Sequence, residues 1–295
     1  MSATSYQSLN TVTSTRTRTH RRKVVGQVVA YVMTTVLAIV FLIPFLWMVS
    51  TSLKTQPDLV RIPPRWIPDP IAWGNYVDAW LAQPFDKFFM NTVLYTVLTT
   101  IGLLVSSSLV AYAFARLEFP GRQALFVLIL STVMLPSQVT LIPQYILFRE
   151  LGWLDSLRPL VIPSFFGSAF YIFLMRQFFL TIPRELDESA LIDGAGRWGI
   201  FQKMILPLSK PIIVTIIAFS FVSHWNDFFG PLIYLNRKDN MTLAVGLLLF
   251  KGDVDTLFHL LMAASVITLV PVIVVFFFTQ RYFVTSITMT GMREG

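Results

Sequence analysis

Apolar runs near Val24–Leu53, Phe89–Leu117, Leu125–Phe148, Leu160–Leu180, Pro211–Leu235 and Leu257–Phe283 constrain this chain more than any other feature. Each is close to the roughly 20 residues that a helix needs to cross the hydrocarbon core of a bilayer. A soluble core would have to hide all of them. Only 13% of the 295 residues are charged, against about 25% in ordinary soluble domains. The expected fold is therefore an all-α membrane protein of about six transmembrane helices, with membrane lipid as its solvent and residues 24–295 as the transmembrane domain.

The chain has no cysteine, which excludes disulfides, thiolate metal sites and cysteine nucleophiles. Its formal charge of +7 does not point to nucleic acid, because the basic residues lie between apolar runs and not on one soluble face. Arg16, Arg18, Arg21, Arg22 and Lys23 precede the first run. That run is longer than the roughly 7–15-residue core of a signal peptide and lacks a small-x-small cleavage site, so it reads as an uncleaved first helix behind a disordered cytoplasmic tail, 1–23. An N-terminus on the inside also puts Arg116, Arg122, Arg176, Arg184, Arg197, Lys203 and Lys210 there. The positive-inside rule then favours both termini in the cytoplasm.

Two connections on the opposite side stand out. Lys54–Lys87 holds Pro57, Pro63, Pro64, Pro68, Pro70 and Pro84 with Trp66, Trp73 and Trp80, and reads as an ordered segment of extended and turn backbone at the interface. Asn236–Asp255 either dips toward the pore or presents a partner-binding loop. Pro44, Pro136, Pro143, Pro163, Pro231 and Pro271 fall inside the apolar runs, where each removes a helix hydrogen bond and predicts a kink.

The largest inner connection, 181–210, reads as a short helix, a sharp turn and a second amphipathic helix. Thr181 suits a cap, Pro183 a first turn, and Glu185, Asp187 and Glu188 the positive end of a helix dipole. Gly194 permits a left-handed stop before Trp198–Leu206. Gly194-Ala-Gly196-Arg-Trp-Gly199 matches the dinucleotide pattern GxGxxG, but a helix precedes it and no acid follows about 20 residues on, so that reading fails. The chain has no Walker A sequence. If ATP drives this protein, another chain hydrolyses it.

Glu188-Ser-Ala190-Leu-Ile-Asp193-Gly194-Ala195, followed by Ile205-Leu206-Pro207, resembles the EAA loop of permease subunits of bacterial ABC importers. Asn75-Tyr76, Asn91-Thr92, Ala111-Tyr112-Ala113-Phe114-Ala115-Arg116, Trp225-Asn226-Asp227-Phe228-x-x-Pro231-Leu232, Gln280-Arg281-Tyr282-Phe283 and the tail from Thr288 extend the match. Together they resemble the smaller, MalG-type permease of carbohydrate-uptake ABC importers over nearly the whole chain after Val24. The resemblance implies a type I importer fold, a second homologous permease chain, two ATPase subunits that hold ATP and Mg, and an extracellular solute-binding protein. It implies no cofactor in this chain and alternating access as its mechanism. The ATPase-coupling residues would be Glu188, Ser189, Ala190, Asp193 and Gly194: Glu188 making a polar contact, Ala190 allowing close approach and Gly194 supplying the turn. Ser189 stands where Ala is usual, and Met292-Arg293-Glu294-Gly295 departs from the commoner Ala-Val-Lys-Gly ending.

Asp227 is an acid within an apolar run or at its outer end, and Asn226 and Asp227 are candidates for the border of the translocation path. An interhelical or interfacial hydrogen bond is the competing role, with His224 or Asn226 as the expected neighbour. No catalytic or metal-ligating set emerges, since His20, His224 and His259 are dispersed. A secondary transporter driven by an ion gradient would need several intramembrane acids and an internal repeat. Asp227 alone does not supply them.

Overall fold

The structure is a computed structural model that describes the backbone of residues 4–251 and 257–291, and side chains within 25–281 apart from residues 137 and 252–256. The chain divides into two units, 1–72 and 73–295.

The first unit is built on α1 (Thr4–Ser52), which contains Pro44 without interruption. The stretch expected to be a disordered tail is carried by the same helical backbone from Thr4 onward, because extending an existing helix gains one hydrogen bond for each residue fixed. From Val25 to Leu46 its large apolar side chains are exposed around the whole circumference, as a lipid-facing helix requires. Beyond α1 the chain turns back on itself. Ser50 Oγ donates to the Trp66 carbonyl, the Trp47 and Trp66 rings meet edge to face at 4.9 Å, and Lys54 Nζ lies 3.9 Å from the Trp47 ring centroid.

The second unit is organised around α3 (Phe85–Arg116), which follows the short α2 (Gly74–Ala82). The proline-rich connection is thus more helical than expected, since Gly74–Ala82 places Asn75 and Ala79 on one buried face. No proline interrupts α3, so its 32 residues make a continuous shaft of about 48 Å at 1.5 Å per residue. Gly102 sits where the turn Ile162–Phe166 crosses it, and a Cβ there would lie 2.8 Å from Phe165 Cδ2.

After α3 come α4 (Arg122–Ser131) and α5 (Ser137–Glu150), then α6 (Ala169–Thr181), α7 (Arg184–Ile192), α8 (Lys210–Trp225), α9 (Phe229–Tyr234) and α10 (Phe258–Gly291). Among the described residues, Val25–Ser52, Phe85–Arg116, Arg158–Thr181 and Phe258–Arg281 are long and apolar enough to cross a membrane. Two bent pairs, Arg122–Met134 with Gln138–Glu150 at 96° and Arg197–Leu208 with Lys210–Trp225 at 73°, bring the number to six if each is one span.

The third apolar run is therefore broken, and the chain bends just before the fifth begins. Pro136 stands at the first break, where it begins α5 with extended backbone. Pro207 and Pro211 flank the second, and the fifth run ends as a helix at Trp225, with α9 separate from it. Pro44, Pro143 and Pro271 lie inside helices that continue through them. Between α7 and α8, Arg197–Ile200 is α-helical, Phe201–Ile205 winds as a π turn and Leu206–Leu208 returns to α geometry. The amphipathic second helix is present, but in three windings.

Two apolar clusters hold the second unit together. One joins Ala111, Tyr112 and Ala115 of α3 to Met175 and Phe179 of α6, Ala190 of α7, Ile200, Phe201 and Ile205 of the wound segment, and Ile216 of α8. The other joins Phe85 and Phe88 of α3 to Trp225, Leu243, Phe250, and Leu260 and Ala264 of α10. α3 contributes to both and so spans the unit.

Candidate functional site

The helix α7 is amphipathic by placement. Asp187 and Ala190, one turn apart, are its buried residues, while Glu188, Ser189, Asp193 and Gly194 are exposed. Its start differs from expectation: Pro183 occupies the N-cap with no side-chain cap, and Thr181 Oγ1 instead donates back to the Phe178 carbonyl at 2.7 Å. The stop follows the expected rule. Gly194 has φ +83°, and Ala195 N donates to the Ala190 carbonyl at 2.9 Å, the geometry for which a residue without Cβ is suited.

Of the five residues expected to couple to an ATPase, Glu188, Ser189, Ala190, Asp193 and Gly194, Ala190 alone faces inward. It packs into the cluster with Ala111, Tyr112 and Phe179, so the close approach it allows is between α7 and its own bundle. The outer surface of α7 also carries an apolar group given no role from the sequence, Ile192, 86% exposed, and Trp198 beyond the turn is 58% exposed. Ile192 was present in the pattern as an apolar residue out of phase with the buried positions of α7.

Beneath α7 lies Arg116, the last residue of α3, its side chain 2% exposed. Its Nη2 donates to the carbonyls of Phe179 and Ile182, each at 2.8 Å. Its Nε forms an ion pair with Asp187 Oδ2 at 3.4 Å. Tyr112 Oη adds a hydrogen bond to the Arg197 carbonyl at 3.1 Å. A cavity of about 550 Å³ opens beside this junction, lined by Arg116, Glu118, Arg184, Glu188, Leu191 and Arg197 among others.

Toward the other end of α3, Asp227 lies in the break between α8 and α9. Its backbone N–H donates to the His224 carbonyl at 3.3 Å, but its carboxylate takes its hydrogen bonds from neither His224 nor Asn226. Tyr95 Oη donates to Asp227 Oδ2 at 2.7 Å, and Gly230 N donates to Oδ1 at 3.3 Å. His224 Nδ1 instead meets the Ser220 carbonyl at 2.7 Å, and Ser220 Oγ lies 2.8 Å from Thr100 Oγ1. Asn226 is exposed and donates to Val222 O at 2.9 Å. Asp227 thus makes an interhelical bond, and a polar seam joins α3 to α8.

The connection after α9 is folded onto the head of α3. Asn91 Nδ2 donates to the carbonyls of Asp239 and Met241 at 2.9 and 3.0 Å, Leu243 N donates to Thr92 Oγ1 at 2.8 Å, and Lys87 pairs with Asp239 at 3.1 Å. Asp155, in the turn after α5, clasps the same connection: its Oδ1 accepts from Asn236 N at 3.0 Å and Arg237 N at 2.8 Å. Burial pushes the Asp155 carboxyl up, but the Arg237 N–H, the Asn240 amide, the Asn236 N–H and the Arg237 charge outweigh it and hold it below the ordinary carboxyl value. Residues 236–251 are therefore a seated loop, while 252–256, the rest of the expected partner-binding segment, and the 292–295 tail lie outside the described residues.

Among the described residues no group of three or more His, Asp or Glu side chains could hold a metal ion. The geometry offers an exposed helix edge at one end of α3 and a seated loop at the other.

Residues 107–289 match the model of the family described as binding-protein-dependent transport system inner membrane component. The arabinooligosaccharides transport system permease protein AraQ of Bacillus subtilis is 32% identical over 87% of this chain and 92% of its own length. The sn-glycerol-3-phosphate transport system permease protein UgpE of Pectobacterium atrosepticum is 33% identical over 85% of this chain and 92% of its own. A chain in the crystal structure of a bacterial ABC transporter involved in import of the acidic polysaccharide alginate superposes with a TM-score of 0.78 at 26% identity, covering 88% of this chain and 96% of that one. With an all-helical, multi-pass architecture that agrees with all of these, this chain belongs to the family of binding-protein-dependent transport system inner membrane components.

Proposed function

We propose that this permease moves a carbohydrate or a related polyol derivative inward across a cytoplasmic membrane, driven by ATP hydrolysed in a partner chain. The observation that carries the reading is the exposed edge of α7, where Glu188, Ser189, Asp193 and Gly194 stand over a helix whose inner face is anchored to α3 and α6. A surface helix that is rigidly backed and carries acids beside the 86%-exposed Ile192 suits a groove in another protein. In this reading two ATPase subunits, holding ATP and Mg, push on α7 here and on its counterpart in a second homologous permease. A solute-binding protein delivers the solute at the opposite face, and alternating access follows from rocking of the spans.

The polarity bias of Lys and Arg supports the α7 end and both termini on the cytoplasmic side. The relatives named above support the substrate class. Asn226 and Asp227 border the path in this reading, Asp227 held in place by Tyr95.

The test is solute-stimulated ATP hydrolysis and uptake by the reconstituted complex with its binding protein, comparing the native chain with Glu188→Arg across oligosaccharides, monosaccharides and glycerol phosphates. Both activities are expected to collapse in the variant for the one solute class that stimulates the native complex. Unchanged activity in Glu188→Arg would remove α7 as the ATPase contact.

A further inference from the structure

Arg116 stands where three helix ends converge. It is the last residue of α3, it donates to two carbonyls at the end of α6, and it pairs with an acid in the first turn of α7. The C-terminal carbonyls of a helix lack partners within it and carry the negative end of its dipole, whereas a helix N-terminus favours an acid. A cation at the ends of α3 and α6, in an ion pair with Asp187 at the start of α7, meets all three requirements at once. The guanidinium suits this role because its planar fork can serve several acceptors in fixed directions, which a lysine ammonium does not do.

From these contacts we propose that Arg116 is a positioning residue that fastens α7 to α3 and to the end of α6, so that the three move as one body when α7 is displaced. The inference rests on the reading of α7 as the ATPase contact. It goes further by stating where the displacement is delivered. α3 runs without proline to Lys87, Asn91 and Thr92, which hold the loop at 239–243, and Tyr95 on the same helix holds Asp227. A push on α7 therefore reaches the far end of the unit through one shaft. Both members of the Arg116–Asp187 pair are under 10% exposed.

The chain's lack of cysteine permits a direct test. In Glu118→Cys/Leu191→Cys, two positions that line the cavity beside Arg116, a short bismaleimide would tie the chain just past the end of α3 to α7 in the assembled complex. Ile192→Cys, labelled with a fluorescent maleimide, reports separately whether α7 is covered by the ATPase chain. If the three helices move as one body, the cross-linked complex keeps its solute-stimulated hydrolysis and uptake. Loss of turnover on cross-linking, with Ile192→Cys still covered, would overturn the rigid-body inference and leave the ATPase contact standing. An Ile192→Cys that stays freely labelled in the full complex would overturn both.

Asp187→Asn gives an independent readout. It keeps the shape but weakens the hold on Arg116, and is expected to raise the ATP hydrolysed per solute imported about fivefold, within the usual range of coupling between sites. An unchanged ratio would count against the role given to Arg116.

Discussion

Tyr95 and Asp227, 132 positions apart in the chain, share a hydrogen bond of 2.7 Å that ties α3 to the break after α8. Tyr95 is 4% exposed, so its hydroxyl has little water to turn to. Tyr95→Phe leaves Asp227 Oδ2 without this donor and is expected to cost about 1–3 kcal/mol, the desolvation penalty of an orphaned polar group. Thermal unfolding in nanodiscs would show the midpoint falling in Tyr95→Phe and less in Asp227→Asn, which can still accept from the tyrosine.

Removing Arg116 should be among the most damaging single changes. Arg116→Ala strips a buried ion pair of one member and leaves the carbonyls of Phe179 and Ile182 without their donor, with an expected cost of about 3–5 kcal/mol. Asp187→Asn should cost less, since the guanidinium keeps its two carbonyl acceptors. Denaturation midpoints of the purified variants, taken with the Arg116→Ala/Asp187→Asn pair, would show strong non-additivity because the two side chains touch.

Gly246 tests the seating of the 236–251 loop. A Cβ added there would lie 2.6 Å from Phe88 Cε2, and Phe88 is fully buried. Gly246→Ala should therefore destabilise by about 1–3 kcal/mol through overpacking. Phe88→Leu in the same chain should recover part of the loss, and an equal loss in both backgrounds would mean that the loop yields elsewhere.

The Asp155 clasp carries a pH dependence of known sign. Its carboxyl is held below the ordinary value of 3.8 by the donors of the 236–240 loop. A carboxyl depressed in the folded state contributes stability above its unfolded value and loses it as pH falls through its folded value. The stability difference between the native chain and Asp155→Asn should thus be constant above about pH 5 and shrink below about pH 4. A difference that stayed flat down to pH 3 would show that the carboxylate charge does not hold the loop.

Much of this arrangement was legible from local pattern. Apolar runs report which solvent surrounds a segment, and they located most of the spans to within several residues, though the fifth helix ends at Trp225 and not at Leu235. The turn at Gly194 and the acids in the first turn of α7 follow from rules that act within four residues. What was not legible lies in direction and distance. Ala190 and Glu188 are two positions apart, and hydropathy alone did not say which of them faces the bundle. The partner of Asp227 was sought among its neighbours in the chain, whereas Tyr95 reaches it from another helix. Arg116 was visible as the end of Ala111-Tyr-Ala-Phe-Ala-Arg116, but its burial depends on carbonyls of α6 that no local pattern reveals. The break at Pro136 was expected as a kink, whereas the one near Pro207 was not, and the angles of both depend on what the two halves pack against.

The π turn over Phe201–Ile205 sets the phase between two faces. At 100° per residue, Ile200 and Ile205 would point about 140° apart around an α-helix, yet both are buried in the same cluster. The wider i→i+5 winding closes that gap. Deleting one residue from this stretch would restore ordinary winding and swing everything before it around the axis, so that the outer edge of α7 would present a different set of side chains to whatever lies against it.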